Sequence, residues 1–254
     1  MQDMEKTTEI INQFDCISLK ELISAKLMNR VDTKFVFHLS EVNNVLTGLK
    51  KEYQVLEVNH QRVTKYENLY FETEDYRFYL DHHNNRNHRF KVRFRKYGNT
   101  LTTYLEIKER RKNKMNKQRL EVDEYRKELN DTELSFIRNA LGDLPLLQPK
   151  FMNSYQRITL VNESLQERFT LDFEFTFKND AEDKNIDNIV IAELKQERLN
   201  RKSPVFQLMK QKKIRSFRIS KYCLGIFLLY AKKNIKYNNF KSIYQQLNTF
   251  KNAV

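Results

Sequence analysis

Arg89, Lys91, Arg93 and Arg95 recur at every second position of the stretch from His88 to Arg95, with Phe90, Val92 and Phe94 between them. Successive side chains of a β-strand point to opposite faces, so this spacing predicts a strand with one cationic and one apolar face. Like charges in a row repel one another, and a solvent-facing strand usually mixes signs. The chemistry such a face suits is the holding of an anion. Taken alone, the stretch reads as a half-buried strand with a basic, solvated side, so the case for a site rests on other strands repeating the pattern.

They repeat it. Tyr104, Glu106 and Lys108 alternate with Leu105 and Ile107, and Lys117, Arg119, Glu121 and Asp123 with Leu120 and Val122. Tyr155, Arg157 and Thr159 form one face of a further strand, and Glu193 is in phase with Lys195. The strictest alternation sets Arg168, Thr170, Asp172, Glu174 and Thr176 against Phe169, Leu171, Phe173, Phe175 and Phe177. Thr33 to Leu39 places Lys34 and His38 opposite Phe35 and Phe37. Arginine offers a planar fork to phosphate oxygens and lysine a compact charge, while carboxylates can hold a divalent cation that bridges phosphates. Glu106, Asp172 and Glu174 can serve the metal or pair with the arginines, and pairing is the expectation.

The elements that must position these residues follow from the same patterning. Ser40 is placed to cap a helix carrying Val42, Val45, Leu46 and Leu49. Asn59-His60-Gln61 is placed to join two alternating runs as a hairpin, and Gly98-Asn99 to join the basic strand to the next as antiparallel neighbours. A helix from Glu133 to Leu141, capped by Asp131 or Thr132, ends at Gly142, and Pro145 and Pro149 mark the connection between the halves. Ser203-Pro204 opens another helix, and an apolar helix runs from Tyr222 to Tyr230. Strands of this kind suit a flat sheet with a wet charged side. They also suit a closed barrel with the charges inside, which recurrent charges of both signs favour. The fold expected is α+β: an antiparallel β-barrel tunnel with a charged interior, flanked by helices. Residues 1–27 form a lead-in segment, 28–231 the catalytic domain and 232–254 a basic tail.

Composition bounds the function. The 254 residues carry 46 Lys or Arg against 33 Asp or Glu, a net charge of +13, and from Arg86 to Arg119 thirteen basic residues face only Glu106 and Glu109. Such a field attracts polyanions of several kinds. Cys16 and Cys223 have no paired spacing, so neither a disulfide framework nor a zinc site is expected. No secretory signal opens the chain, and no apolar run reaches the ~20 residues of a membrane span, so a cytoplasmic location is expected. There is no glycine-rich phosphate loop, no triad around Ser220, and no base-stacking signature of a nucleic-acid module. The adjacent His82 and His83 are expected at the surface.

Seven segments in order carry a family likeness: Thr33-Lys34-Phe35, Leu69 to Thr73, Arg89 to Arg95, Leu105 to Lys108, Tyr155-Gln156-Arg157, Ala192 to Lys195 and Ser220 to Gly225. Together they resemble the VTC catalytic domain, a family of polyphosphate polymerases related to the CYTH and triphosphate tunnel enzymes. The resemblance implies a tunnel that binds ATP by its phosphates and moves the γ-phosphate onto inorganic polyphosphate with Mn²⁺ or Mg²⁺. It assigns phosphate binding and catalysis to Lys34, Arg93, Arg95, Lys108, Arg157 and Lys221, phosphate contact to Ser220, and the metal to Glu193. Arg89, Lys91, Tyr155 and Lys195 join as lining residues on phase, and Glu106 and Glu174 as further metal candidates. Many tunnel hydrolases begin with alternating glutamates before the lysine, where this chain has Arg30-Val31-Asp32-Thr33-Lys34; fewer carboxylates there favour transfer over two-metal hydrolysis. The alternatives are a tunnel triphosphatase acting on inorganic triphosphate or RNA 5′ ends, and a non-catalytic polyanion-binding module. No specific nucleic acid is expected as partner.

Overall fold

The computed structural model describes residues 2–24, 31–112, 114–143, 146–231 and 235–251. In chain order the elements are α1 (Gln2–Asn12), β1 (Cys16–Ser18), α2 (Leu19–Ser24), β2 (Val31–His38), α3 (Val42–Leu49), β3 (Gln54–Glu57), β4 (Val63–Glu72) and α4 (Arg77–His83). Next come β5 (His88–Tyr97), β6 (Thr103–Arg111), β7 (Lys114–Val122), α5 (Asp131–Leu141), β8 (Gln148–Asn162), β9 (Glu167–Lys178), β10 (Asp183–Ile186) and β11 (Ile189–Gln196). The helices α6 (Pro204–Gln211), α7 (Lys221–Tyr230) and α8 (Asn238–Lys251) close the series.

Among the described residues eleven strands join one sheet whose main path is β2-β11-β9-β8-β4-β5-β6-β7, antiparallel throughout. β10 adds to β9, β3 to β8, and β1 runs parallel to β3. The α+β class stands, but β2 and β7 do not pair among the described residues, so the sheet is open where a closed barrel is expected from sequence. The chain leading into α7 takes the edge that closure would need. Ser216 bridges to Phe35, and the Phe217 N–H donates to the Lys34 carbonyl at 2.8 Å. Covering an edge in this way also blocks unwanted strand addition.

Period-two alternation builds two apolar layers. Phe35, Phe37, Phe169, Leu171, Phe173, Val190, Ala192 and Leu194 face outward and are buried with Val42, Val45, Leu46 and Leu49 of α3, Val205 and Met209 of α6 and Ile11 of α1. Burying such a side chain contributes roughly 1.5–3 kcal/mol, which is why the polar residues between them are forced to the other side. In the second core, Phe151, Phe175, Phe177, Ile189 and Ile191 pack with Tyr222, Ile226 and Leu229 of α7. Gly225 permits this approach, since a Cβ there would overlap the Phe151 ring.

Several local expectations change. His38 caps the turn before α3 and Ser40 does not cap the helix itself. Asn59 and His60 turn with positive φ, but β3 leaves to pair with β8 and β1, so only the Val58–Gln61 bridge remains of the hairpin. Asn130, not Asp131 or Thr132, caps α5, in a reciprocal box with Glu133. Arg30, Asn113, Pro145 and residues 232–234 and 252–254 lie outside the described residues. The basic tail holds α8, whose Phe240 packs against Tyr79 and His83, Tyr244 against Phe227 and Phe250 against Phe217. No helix among the described residues is long and apolar enough to cross a membrane.

Candidate functional site

Register decides which polar residues share a face. Arg93 lies opposite Tyr70 and Glu106, Arg95 opposite Asn68 and Tyr104, and Lys91 opposite Lys108. Arg157 lies opposite Asp172, and Glu193 opposite Lys34 and Thr170. Contacts across the sheet bring these rows together on its concave side. Lys91 Nζ donates to Ser220 Oγ at 3.0 Å, Lys34 Nζ to the Ile219 carbonyl at 2.7 Å, and Lys221 Nζ lies 2.6 Å from Asp172 Oδ2. Glu193 and Lys108, from β11 and β6, act on each other's protonation. Ser220 caps α7 and so fixes where Lys221 enters the cluster.

The carboxylates within this cluster, Glu106, Asp172 and Glu193, are engaged by cations. Arg93 donates to Glu106 Oε2 through Nε at 3.0 Å and Nη2 at 2.7 Å, with Arg95 at 3.8 Å and Lys117 against Oε1. Arg157 grips Asp172 through two bonds of 2.5 and 2.6 Å. Lys195 pairs with Glu193 on its own strand. Burial pushes all three carboxyls upward, but the surrounding cations outweigh it and hold Glu106 and Glu193 well below, and Asp172 below, the usual range.

Cations remain in excess. Lys34, Lys91, Arg93, Arg95, Lys108, Lys117, Arg157, Lys195 and Lys221 number nine against Glu106, Asp172, Glu193 and Asp32 at the rim. The cost is visible in the lysines. Burial brings Lys91 and Lys221 down to about 8, and burial with Arg93 and Arg95 nearby holds Lys108 well below its ordinary value. No hydrogen bond to Lys108 Nζ forms among the described residues, and its cross-strand neighbours Lys91 and Lys117 are like charges. Such pairs are destabilising and become favourable once an anion sits between them.

The sequence-derived residues divide accordingly. Lys34, Lys91, Arg93, Arg95, Lys108, Arg157, Lys195, Ser220, Lys221, Glu106 and Glu193 come together. Tyr155 is buried among them, its hydroxyl accepting from Arg95 at 3.2 Å and its ring stacked on Tyr66. Arg89 stands one in-phase step farther along, opposite Arg110. Glu174 does not join: it takes φ 55° at a bulge where β9 slips against β8, and it is exposed. One extra residue inverts the facing of all that follow, so Phe175 and Phe177 turn inward and the strict alternation read from sequence breaks there. His82 and His83 also depart from the surface expectation. Helical rather than extended spacing packs His83 beside Asn239 of α8, and burial, with Lys91 and Arg89 close by, lowers His82 below its usual value. Tyr70 and Asn68 are members that strand phase left out; their signal is register against Arg93 and Arg95, which needs the pairing of strands. Lys117, in phase on β7, joins through Glu106, and Asp172 pairs with Arg157 as the alternation leads one to expect.

Among the described residues no three His, Cys, Asp or Glu side chains are grouped to hold a metal ion. Glu106 is fully buried under its cations, whereas the Glu193 side chain is 21% exposed. An all-protein cage therefore does not fit, but a hard cation carried on phosphate oxygens and touched by one carboxylate does.

Residues 29–230 match the family model described as VTC domain. No curated protein matches the chain. Among solved structures, proteins from Bacillus halodurans and Vibrio parahaemolyticus, both named for adenylate cyclase, each align at 12% identity and TM-score 0.47. The first covers 80% of this chain and 97% of its own, the second 78% and 99%. A Hippeastrum protein named for adenylyl cyclase and said to show a dominant triphosphatase activity aligns at 14% identity and TM-score 0.45, covering 78% of this chain and 95% of its own. With the family match spanning most of its length, the chain belongs to the VTC domain family.

Proposed function

We propose that this protein is a metal-dependent polyphosphate polymerase, which transfers the γ-phosphate of ATP to a growing inorganic polyphosphate inside a tunnel formed by the concave face. The observation that carries the reading is the uncompensated charge there, with Lys91 and Lys108 opposed and both depressed. Arg93, Arg95 and Arg157 would grip phosphate oxygens, and Lys34, Lys91, Lys108 and Lys221 would spread positive charge over the donor and the leaving diphosphate. Lys195 and Ser220 would complete the lining.

Phosphoryl transfer asks chiefly for alignment and charge stabilisation. A phosphate oxygen is already ionised at neutral pH and needs no base. Activating water would need one, and Glu106, Asp172 and Glu193 are all held by cations. That contrast favours phosphate over water as acceptor. Glu193 would hold the Mn²⁺ or Mg²⁺, which would supply charge neutralisation for the transferring phosphate.

Incubation of the pure protein with ATP and Mn²⁺ tests the reading. Accumulation of polymer supports it; release of phosphate without polymer would assign a triphosphatase instead. Binding without turnover would leave a polyanion-binding module.

A further inference from the structure

Outward from the arginines, the concave face changes character. Tyr66, Tyr97 and Tyr104 follow one another in edge-on contact, with ring centroids 5.0 Å and 6.1 Å apart. Arg157 lies over Tyr66 at 4.6 Å and Arg95 over the same ring at 5.2 Å, so the row begins at the proposed phosphate grips. At its outer end the exposed Arg119 guanidinium rests on the Tyr104 ring at 4.8 Å. The Tyr104 hydroxyl donates to Glu121, the residue opposite it on β7. Glu121 is also a wall of a surface cavity of about 250 Å³, with Thr100, Thr102 and Asp123 among its other walls. Leu101, 68% exposed and at φ 57°, lies at the same cavity.

The polarity of this path is informative. The interior is cationic and the cavity carries two carboxylates, so a ligand spanning both has its anionic end inward and an uncharged, hydrogen-donating end outward. A guanidinium held over a ring offers a planar cation on which a base face can stack. Carboxylate and threonine oxygens accept from an exocyclic amine.

We infer that Tyr104, Arg119 and the cavity beside Glu121 form a nucleoside subsite, which stacks the base of an amine-bearing nucleoside triphosphate whose phosphates lie among Arg93, Arg95 and Arg157. The inference rests on the phosphate-channel reading above and goes beyond it by assigning donor selection to residues outside the cationic cluster.

Calorimetric titration with ATP and with inorganic tripolyphosphate, both without metal, separates the two readings. Arg119→Lys keeps the charge and removes the plane; Tyr104→Leu removes the ring. Each is expected to weaken ATP about tenfold and to leave tripolyphosphate within about twofold. Equal weakening of both ligands, or no change in either, would overturn the nucleoside subsite and leave the phosphate channel standing. If neither ligand binds the unaltered protein, both readings fall. Because Arg119 is exposed, its variant retains the fold, and a melt matching the parent verifies this.

Discussion

Glu106 offers the sharpest test of how the concave face is balanced. Its side chain is fully buried and holds Arg93, Arg95 and Lys117 at once. Burial pushes its carboxyl up, but Arg95, Arg93, Lys117 and Lys108 hold it well down, so it is an anion at any ordinary pH. Glu106→Gln leaves those cations facing one another across a dry site. Removing one partner of a buried pair costs about 3–5 kcal/mol. At about 2–4 °C per kcal/mol for a chain of this size, the melting temperature should fall by about 6–20 °C. The same change frees the guanidiniums for phosphate. If tripolyphosphate then binds tenfold more tightly, a saturating dose adds about 1.4 kcal/mol beyond the parent's stabilisation, or about 3–6 °C. Scanning calorimetry with chelator present, with and without tripolyphosphate, measures both quantities. A variant that melts with the parent, or gains less from the ligand, refutes the assignment of Glu106 to charge balance. In a separate series without chelator, Mn²⁺ that stabilises the parent but not Glu106→Gln would assign Glu106 to the metal instead.

Three further outcomes are expected. Lys91 and Lys221 titrate at about 8 when folded, below the unfolded lysine range. Between about pH 8 and 10.5 the unfolded chain therefore carries protons the folded chain has released, so stability rises with pH while triphosphate affinity falls; melting and binding series that move in the same direction would contradict this. Gly225→Ala should cost about 1–3 kcal/mol through overlap with Phe151 and displace α7, and Phe151→Leu should relieve part of the loss in a thermal melt. Glu193→Gln should abolish metal-dependent turnover while tripolyphosphate still binds, whereas Glu174→Ala, an exposed change, should leave turnover and its metal dependence intact; the reverse ranking in a turnover assay would undo the placement of the bulge.

Much of the site is legible in the chain because a strand with one apolar face has only one way to bury it. Phe90, Val92 and Phe94 commit Arg93 and Arg95 to the opposite side, as Leu105 and Ile107 commit Glu106 and Lys108. The same logic located α3, α6 and the turn at Gly98, since caps and periodicities are local. What local patterning misses is slippage and partnership. The bulge at Glu174 is invisible in an alternation that continues unbroken through it, and the loss of the hairpin between β3 and β4 depends on β8 offering a better edge.

By itself, then, the sequence determined the period of each strand, the sign of its polar face and the family to which the motifs point. Tertiary structure alone decided which polar faces meet, that Glu106 answers to three cations, that Glu174 turns away, and that the segment before α7 occupies the edge of β2. The reason is physical: alternation is set by neighbouring residues, whereas register, closure and charge pairing depend on segments far apart in the chain that only packing brings within reach.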